Sequence, residues 1–177
     1  ILWTGVIRDT TEYREWREGI KKEGARIMIA KSGEKIKIGE LEIDVLNPLE
    51  NLEGQELKDS NDSSIVAKLI FGEESFLFTG DIHKSGEKQI LEKGIALDSD
   101  ILKVSHHGSK TSSNEEFIAK VSPEIAVISA GKENKYGHPH KETLDTLKKY
   151  GINILRTDTN GDIKIISNGI NYEIPNF

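Results

Sequence analysis

The spacing of apolar residues changes several times along this chain, and each change marks an element. Tyr13, Trp16 and Ile20 recur near helical spacing between Thr10 and Lys22, and Gly24 supplies a stop, so this stretch predicts an amphipathic helix. Arg26–Ala30, Glu34–Ile38 and Leu41–Leu46 predict three short strands. In the third, Leu41, Ile43 and Val45 alternate with Glu42 and Asp44, the pattern of a strand with one buried face. Pro48 to Ser60 is polar and reads as a surface loop. Ser64–Phe71 and Ser75–Phe78 then form a hairpin around Gly72-Glu73-Glu74.

Strands and helices alternate from there. The pattern predicts a helix over Ser85–Lys93 closed by Gly94, a strand over Asp100–Val104, a helix over Asn114–Val121, a strand over Glu124–Ala130 and a helix from Pro139 to Tyr150. Ser112 and Ser113 each have a glutamate three residues on, the capping-box signature, and Pro139 suits a first helical position. Asn153–Arg156, Asp162–Ile166 and Ile170–Ile174 finish the chain as strands, with Asn168-Gly169 as a hairpin turn. Hairpin-rich ends around a strand–helix centre predict an α/β domain with helices packed on a mixed sheet.

With 177 residues, 36% of them hydrophobic, we expect a single domain over 1–177. The net charge of −6 argues against nonspecific nucleic-acid binding over the whole surface. Lys103, Lys110, Lys132 and Lys135 nevertheless sit beside the histidine runs, where the local sign differs from the global one unless they are simply solvated loop residues. There is no cysteine, so any metal must be held by His, Asp or Glu. No apolar run approaches the ~18 residues of a membrane span, and we expect a soluble segment without membrane contact of its own. The chain opens on Ile1, so we expect upstream sequence; a membrane region or signal peptide there would make the segment extracytoplasmic.

Three runs carry the candidate chemistry: Phe78-Thr79-Gly80-Asp81, Ser105-His106-His107-Gly108-Ser109 and Tyr136-Gly137-His138-Pro139-His140. Four of the five histidines fall in the last two. Converging at neighbouring strand ends, one carboxylate and two or three imidazoles suit a zinc-type or manganese-type site and metal-assisted hydrolysis. Asp81 ends an apolar strand, as a metal ligand or as a turn-capping aspartate. On an extended backbone the adjacent His106 and His107 point apart, so one is a ligand and the other a supporting or substrate-contacting group. His107 is carried as the metal ligand, and His106, His107 and His140 as catalytic candidates at the reaction centre. His138 is the further ligand candidate, and His140 a supporting or phosphate-contacting group; capping is the competing role for either. His83 reads as a surface residue at a helix start. Ser109, Lys110, Thr111 and Ser112 form a candidate anion-binding loop, with plain helix capping as the alternative for its hydroxyls.

Together with Asn61-Asp62-Ser63-Ser64-Ile65-Val66, the run Leu102 to Ser113 and Arg156-Thr157-Asp158, these motifs resemble the metallo-β-lactamase superfamily, in its bacterial DNA-uptake competence (ComEC-type) branch. The resemblance implies a four-layer αββα sandwich with the active site at the edge between two sheets. It also implies Asp81 as a bridging metal ligand, His138 as the late metal histidine, one of His106 and His107 against the reaction centre, and metal-assisted attack of water on a phosphodiester of DNA or a nucleotide. Zinc or manganese, dinuclear in the complete domain, is the implied cofactor. The superfamily's HxHxDH run is absent, since no histidine precedes His83. The chain therefore reads as the C-terminal part of such a domain, incomplete on its N-terminal side. By itself we expect it to be inactive, with partial or no metal binding and an exposed half-core that favours a homodimer or a partner segment. The alternative is a non-catalytic module that binds a phosphate-bearing ligand. Metal-free Ser/His/Asp hydrolysis lacks support because no Gly-x-Ser-x-Gly elbow is present.

Overall fold

The computed structural model describes residues 1–175. Its N-terminal unit is a small β–α–β: β1 (Leu2–Trp3) and β2 (Met28–Ile29) pair in parallel, joined by α1 (Thr11–Glu23). The Thr10 hydroxyl accepts from the Tyr13 N–H at 3.2 Å to start α1, and Gly24 ends it in the left-handed conformation. Trp3, Tyr13 and Trp16 pack their rings together with centroids 5.3–6.2 Å apart.

Seven strands make the main sheet, and their spatial order is their chain order. They are β3 (Lys35–Ile38), β4 (Leu41–Asn47), β5 (Val66–Phe71), β6 (Glu74–Phe78), β7 (Ile101–Lys103), β8 (Ile125–Ile128) and β9 (Asn153–Arg156). β3 to β6 run antiparallel, and β6 to β9 run parallel. Parallel neighbours need a crossover, and α2 (Lys84–Glu92), α3 (Glu115–Val121) and α4 (Lys141–Lys149) supply the three.

Alternation along the strands divides the core in two. Leu77, Leu102, Ala126 and Ile128 face Ile90, Phe117, Ile118 and Leu147 of the helices. Their strand neighbours Phe76, Ile101, Ile125, Val127 and Leu155 face the other side, where Ile163, Ile165, Tyr172 and Ile174 cover them. That cover includes a hairpin, β10 (Ile166–Ser167) and β11 (Tyr172–Glu173), turning at Asn168-Gly169 as expected. The Glu73 N–H donates to the Gly169 carbonyl at 2.7 Å and fastens the hairpin to the β5–β6 turn.

Several expectations need correction. The described residues hold one large sheet with helices on one face, and the four-layer sandwich is not formed among them; β1–β2 and β10–β11 are two-residue pairs, too short to build a second sheet. Asp162–Ile165 is not a strand, because Ile163 and Ile165 pack against the sheet face without joining a ladder. Asn114, not Ser112 or Ser113, caps α3, its side chain accepting from Glu116 N–H. Pro139 precedes α4, for which His140 is the capping position. No helix of the described residues is long and apolar enough to cross a membrane.

Candidate functional site

Because β6 to β9 are parallel, their C-terminal ends share one sheet edge, and the chemistry-bearing runs emerge there together. Thr79 is fully buried and donates its hydroxyl to the Lys103 carbonyl at 2.7 Å, tying the end of β6 to that of β7. Gly80, at φ +54°, turns the chain against Ser64. The Asp81 N–H donates to the Ser64 hydroxyl at 3.0 Å, and Asn47 holds the Ser64 carbonyl at 2.7 Å. The Asn61–Ser64 run thus orients Asp81. Lys103 lies under this edge with its Nζ on the Val104 carbonyl; burial pulls its pKa down, while Asp81 opposes that shift.

His106 and His107 do not lie on extended backbone. Both occupy the left-handed region, at φ 49° and 56°, within a 3₁₀ turn over Ser105–Gly108. Two successive non-glycine residues there are strained, and the surroundings hold them: the His106 N–H donates to the Gly80 carbonyl at 3.0 Å, and the Ser109 N–H to the His106 carbonyl at 2.9 Å. Their rings still diverge, with centroids 6.5 Å apart and planes at 68°.

His107 is anchored on one side of its ring and faces Asp81 with the other. Its Nδ1 is 2.7 Å from the Ser129 carbonyl, which only accepts, so Nδ1 carries the proton. Nε2, on the other side of the ring, lies 3.7 Å from Asp81 Oδ1. The next turn is braced by Thr157, first residue of α5 (Thr157–Asn160), whose hydroxyl accepts from Ala130 N–H at 2.9 Å and donates to Ala130 O at 2.8 Å. Arg156 grips Asp158 through two bonds of 3.0 and 2.6 Å and holds that carboxyl below its usual range.

All five histidine rings form one unbroken chain. His83 stacks on His106 at 5.3 Å, His106 meets His138 edge-on at 5.7 Å, and His138 meets His140 at 4.8 Å while stacking on His107 at 6.3 Å. Burial, reinforced by neighbouring imidazoles, holds His106 and His138 below the ordinary histidine range, in the neutral form a metal requires. His83 is therefore no isolated surface residue. Its Nε2 accepts from Asn61 at 3.1 Å, and its Nδ1 lies 3.6 Å from Asp59. The signal for it was available in the Asp81-x-His83 spacing and in the absence of any histidine outside this region. Asn134 clamps the His138 loop by accepting from His138 N–H at 2.9 Å and donating to His138 O at 2.6 Å.

The candidate anion loop splits by side. Ser112 is buried, its hydroxyl within 3.1 Å of the Ser105 carbonyl and 2.9 Å of the Ser109 carbonyl. The Ser109 hydroxyl is also buried, 2.9 Å from that of Thr111. Lys110 and Thr111 face solvent beside the rings: Lys110 N–H donates to His140 Nδ1 at 3.3 Å, and Thr111 Oγ1 is 3.4 Å from His106 Nδ1. Behind the loop, fully buried Glu87 accepts from the Ser113 and Asn114 N–H groups, each at 2.7 Å. Burial pushes its carboxyl up to about 7. Sequence reading missed Glu87 because its place in an amphipathic helix predicts an exposed carboxylate.

Asp81 and His107 set a carboxylate oxygen and an imidazole nitrogen 3.7 Å apart, and His138 stands alongside with its ring on that of His107. Among the described residues, no three His, Asp or Glu side chains are grouped closely enough to hold an ion by themselves. Residues 2–132 match the metallo-beta-lactamase superfamily. The chain belongs to that superfamily. Within it, the chain is 40% identical over 147 residues to ComE operon protein 3 of Bacillus subtilis, covering 83% of this chain and 18% of the relative. It is 40% identical over 107 residues to competence protein ComA of Neisseria gonorrhoeae, covering 60% and 16%, and 34% identical over 105 residues to recombination protein 2 of Haemophilus influenzae, covering 59% and 13%. The chain thus spans less than a fifth of the length of these superfamily relatives.

Proposed function

We propose that this domain serves metal-dependent hydrolysis of phosphodiester bonds, in DNA or a nucleotide, within the intact protein. The observation that carries the reading is His107 Nε2 facing Asp81 at 3.7 Å, beside a run of four further histidine rings. Asp81, His107 and His138 would contribute to holding zinc or manganese, with the remaining ligands supplied by residues outside this chain. When bound, the metal would supply an activated water and charge stabilisation at the phosphoryl centre. On the protein side, His106 and His140 border the reaction centre. Lys110 and Thr111 are placed to contact phosphate oxygens, while the buried hydroxyls of Ser109 and Ser112 keep the loop in shape. The names of two relatives, a competence protein and a recombination protein, accord with a DNA substrate.

The lack of a third convergent ligand among the described residues favours a second reading, in which this chain binds a phosphate-bearing ligand without turning it over. Elemental analysis and a phosphodiesterase assay with added manganese separate the two, run on this chain and on a version extended upstream by about 100 residues. Metal and activity in the extended form alone support the hydrolase; no metal in either form overturns it in favour of the binding module.

A further inference from the structure

A cavity of about 460 Å³ opens beside the histidine chain, lined by His107, Ser129, Gly131, Asn134, Tyr136 and His138. Tyr136, one of these lining residues, is 64% exposed. It is held in a defined plane, its ring nearly parallel to that of His138 at 22° and 5.7 Å. Lys135 places its ammonium 5.0 Å from the centre of the Tyr136 ring. No carboxylate among the described residues pairs with Lys110, Lys132 or Lys135. An oriented, exposed aromatic with an unpaired ammonium beside it is the composition of a site for an unpaired base joined to a phosphate.

We propose that Tyr136 is a stacking platform for a nucleobase, so that the ligand of this site is a nucleotide or single-stranded nucleic acid with its phosphate towards the histidine chain. The inference rests on the phosphodiester reading and narrows it. A duplex keeps its bases stacked on one another and offers Tyr136 no free face, whereas an unpaired base meets the ring at no unstacking cost. Tyr136 contacts the base and takes no part in bond cleavage; its role is to fix the register of the phosphate. The Asn134 clamp, which sets the loop on both sides of Tyr136, fixes the ring's place relative to His138.

The test is fluorescence anisotropy of the full protein with a labelled oligothymidylate of a few nucleotides and its abasic counterpart of equal length, in chelator so that neither is cleaved. Wild type should bind the base-bearing strand at least about fivefold more tightly than the abasic one, the loss expected from one stacking contact. Tyr136→Ala should erase that difference and Tyr136→Phe should keep it, since a phenyl ring still stacks. Equal binding of the two strands by wild type overturns the platform and leaves the phosphodiester reading standing. Binding of neither strand also overturns the platform, while the phosphodiester reading is judged separately by the metal and phosphodiesterase measurements above. A Tyr136→Ala variant that weakens both strands equally also overturns the platform, because that is loss of charge or fold and not of stacking.

Discussion

At the residue scale, Asp81 and His107 should matter through the metal and not through the fold. Their side chains are 42% and 47% exposed, and the bonds that hold their loops come mostly from backbone groups and from Ser64. Asparagine tolerates the left-handed backbone of position 107, so His107→Asn removes the imidazole with little added strain. We expect it to lower zinc or manganese affinity of the intact protein at least about tenfold in calorimetric titration, with unfolding free energy falling by no more than about 1.5 kcal/mol, the worth of the lost bond to the Ser129 carbonyl. Unchanged affinity would strike His107 from the ligand set. Gly108 is the opposite case. At φ +80°, with room for a Cβ only 2.6 Å from that of Pro139, it joins the His107 turn to the His138 loop, and its carbonyl accepts from His140 N–H at 2.9 Å. Gly108→Ala should destabilise the fold by about 2 kcal/mol or more in urea denaturation, from left-handed strain plus the clash.

At the element scale, α2 carries the buried carboxylate that holds the loop ahead of α3, and this predicts a pH dependence of stability. The folded-state pKa of Glu87, about 7, lies above the ordinary value of 4.5. Between those values the unfolded chain has released a proton that the folded chain still holds, so this group makes stability fall as pH rises from about 4.5 to about 7. The shift corresponds to a loss of about 3 kcal/mol at most. His106 and His138 act in the opposite sense: held low in the fold, they take up protons first in the unfolded chain and lower stability as pH falls. Comparing wild type with Glu87→Gln by denaturation at pH 5 and pH 8 isolates the carboxyl; the variant should lose less stability than wild type on going from 5 to 8. Equal losses would place the Glu87 pKa near its ordinary value. This element also shows where sequence reading stops. The span of α2 was legible from its apolar spacing and Gly94, and the strand ends that deliver Asp81 and the histidines were legible as apolar runs breaking at Gly and His. That Glu87 points inward was not, because its partners are two backbone N–H groups 26 and 27 residues away. The left-handed turn at His106-His107 was hidden for a related reason: non-glycine residues are seldom left-handed, and it takes the Gly80 carbonyl, in the turn after β6, to hold it.

At the scale of the whole molecule, the sheet is finished on one side and open on part of the other. The β3–β4 hairpin is amphipathic across its thickness: Lys35 bonds to Glu42 and Asp44 on one side at 2.6 and 2.8 Å. Ile36 and Ile38 pair with Ile43 and Leu41 on the other. The ladder carries this apolar side through Leu69 to Phe76, so it is continuous with the face that residues 163–174 cover further along. Phe78, on that same face, is 47% exposed, and Ile38 is 60% exposed. A surface of this kind favours association, since each apolar side chain removed from water contributes about 25 cal/mol per Å². We predict that the 177-residue chain self-associates through it, seen as a concentration-dependent rise in sedimentation coefficient over the micromolar range. Phe78→Lys combined with Ile38→Lys should weaken that association at least about tenfold without unfolding the chain, because both side chains are already substantially in water. The same pair of substitutions discriminates the occupant. In the upstream-extended protein, a face already covered by its own chain would leave wild type monomeric and make the two lysines destabilising; a face used between copies would leave the extended protein dimeric and the lysines harmless to its folding. A wild-type 177-residue chain that stays monomeric throughout would remove the face as an interface between copies.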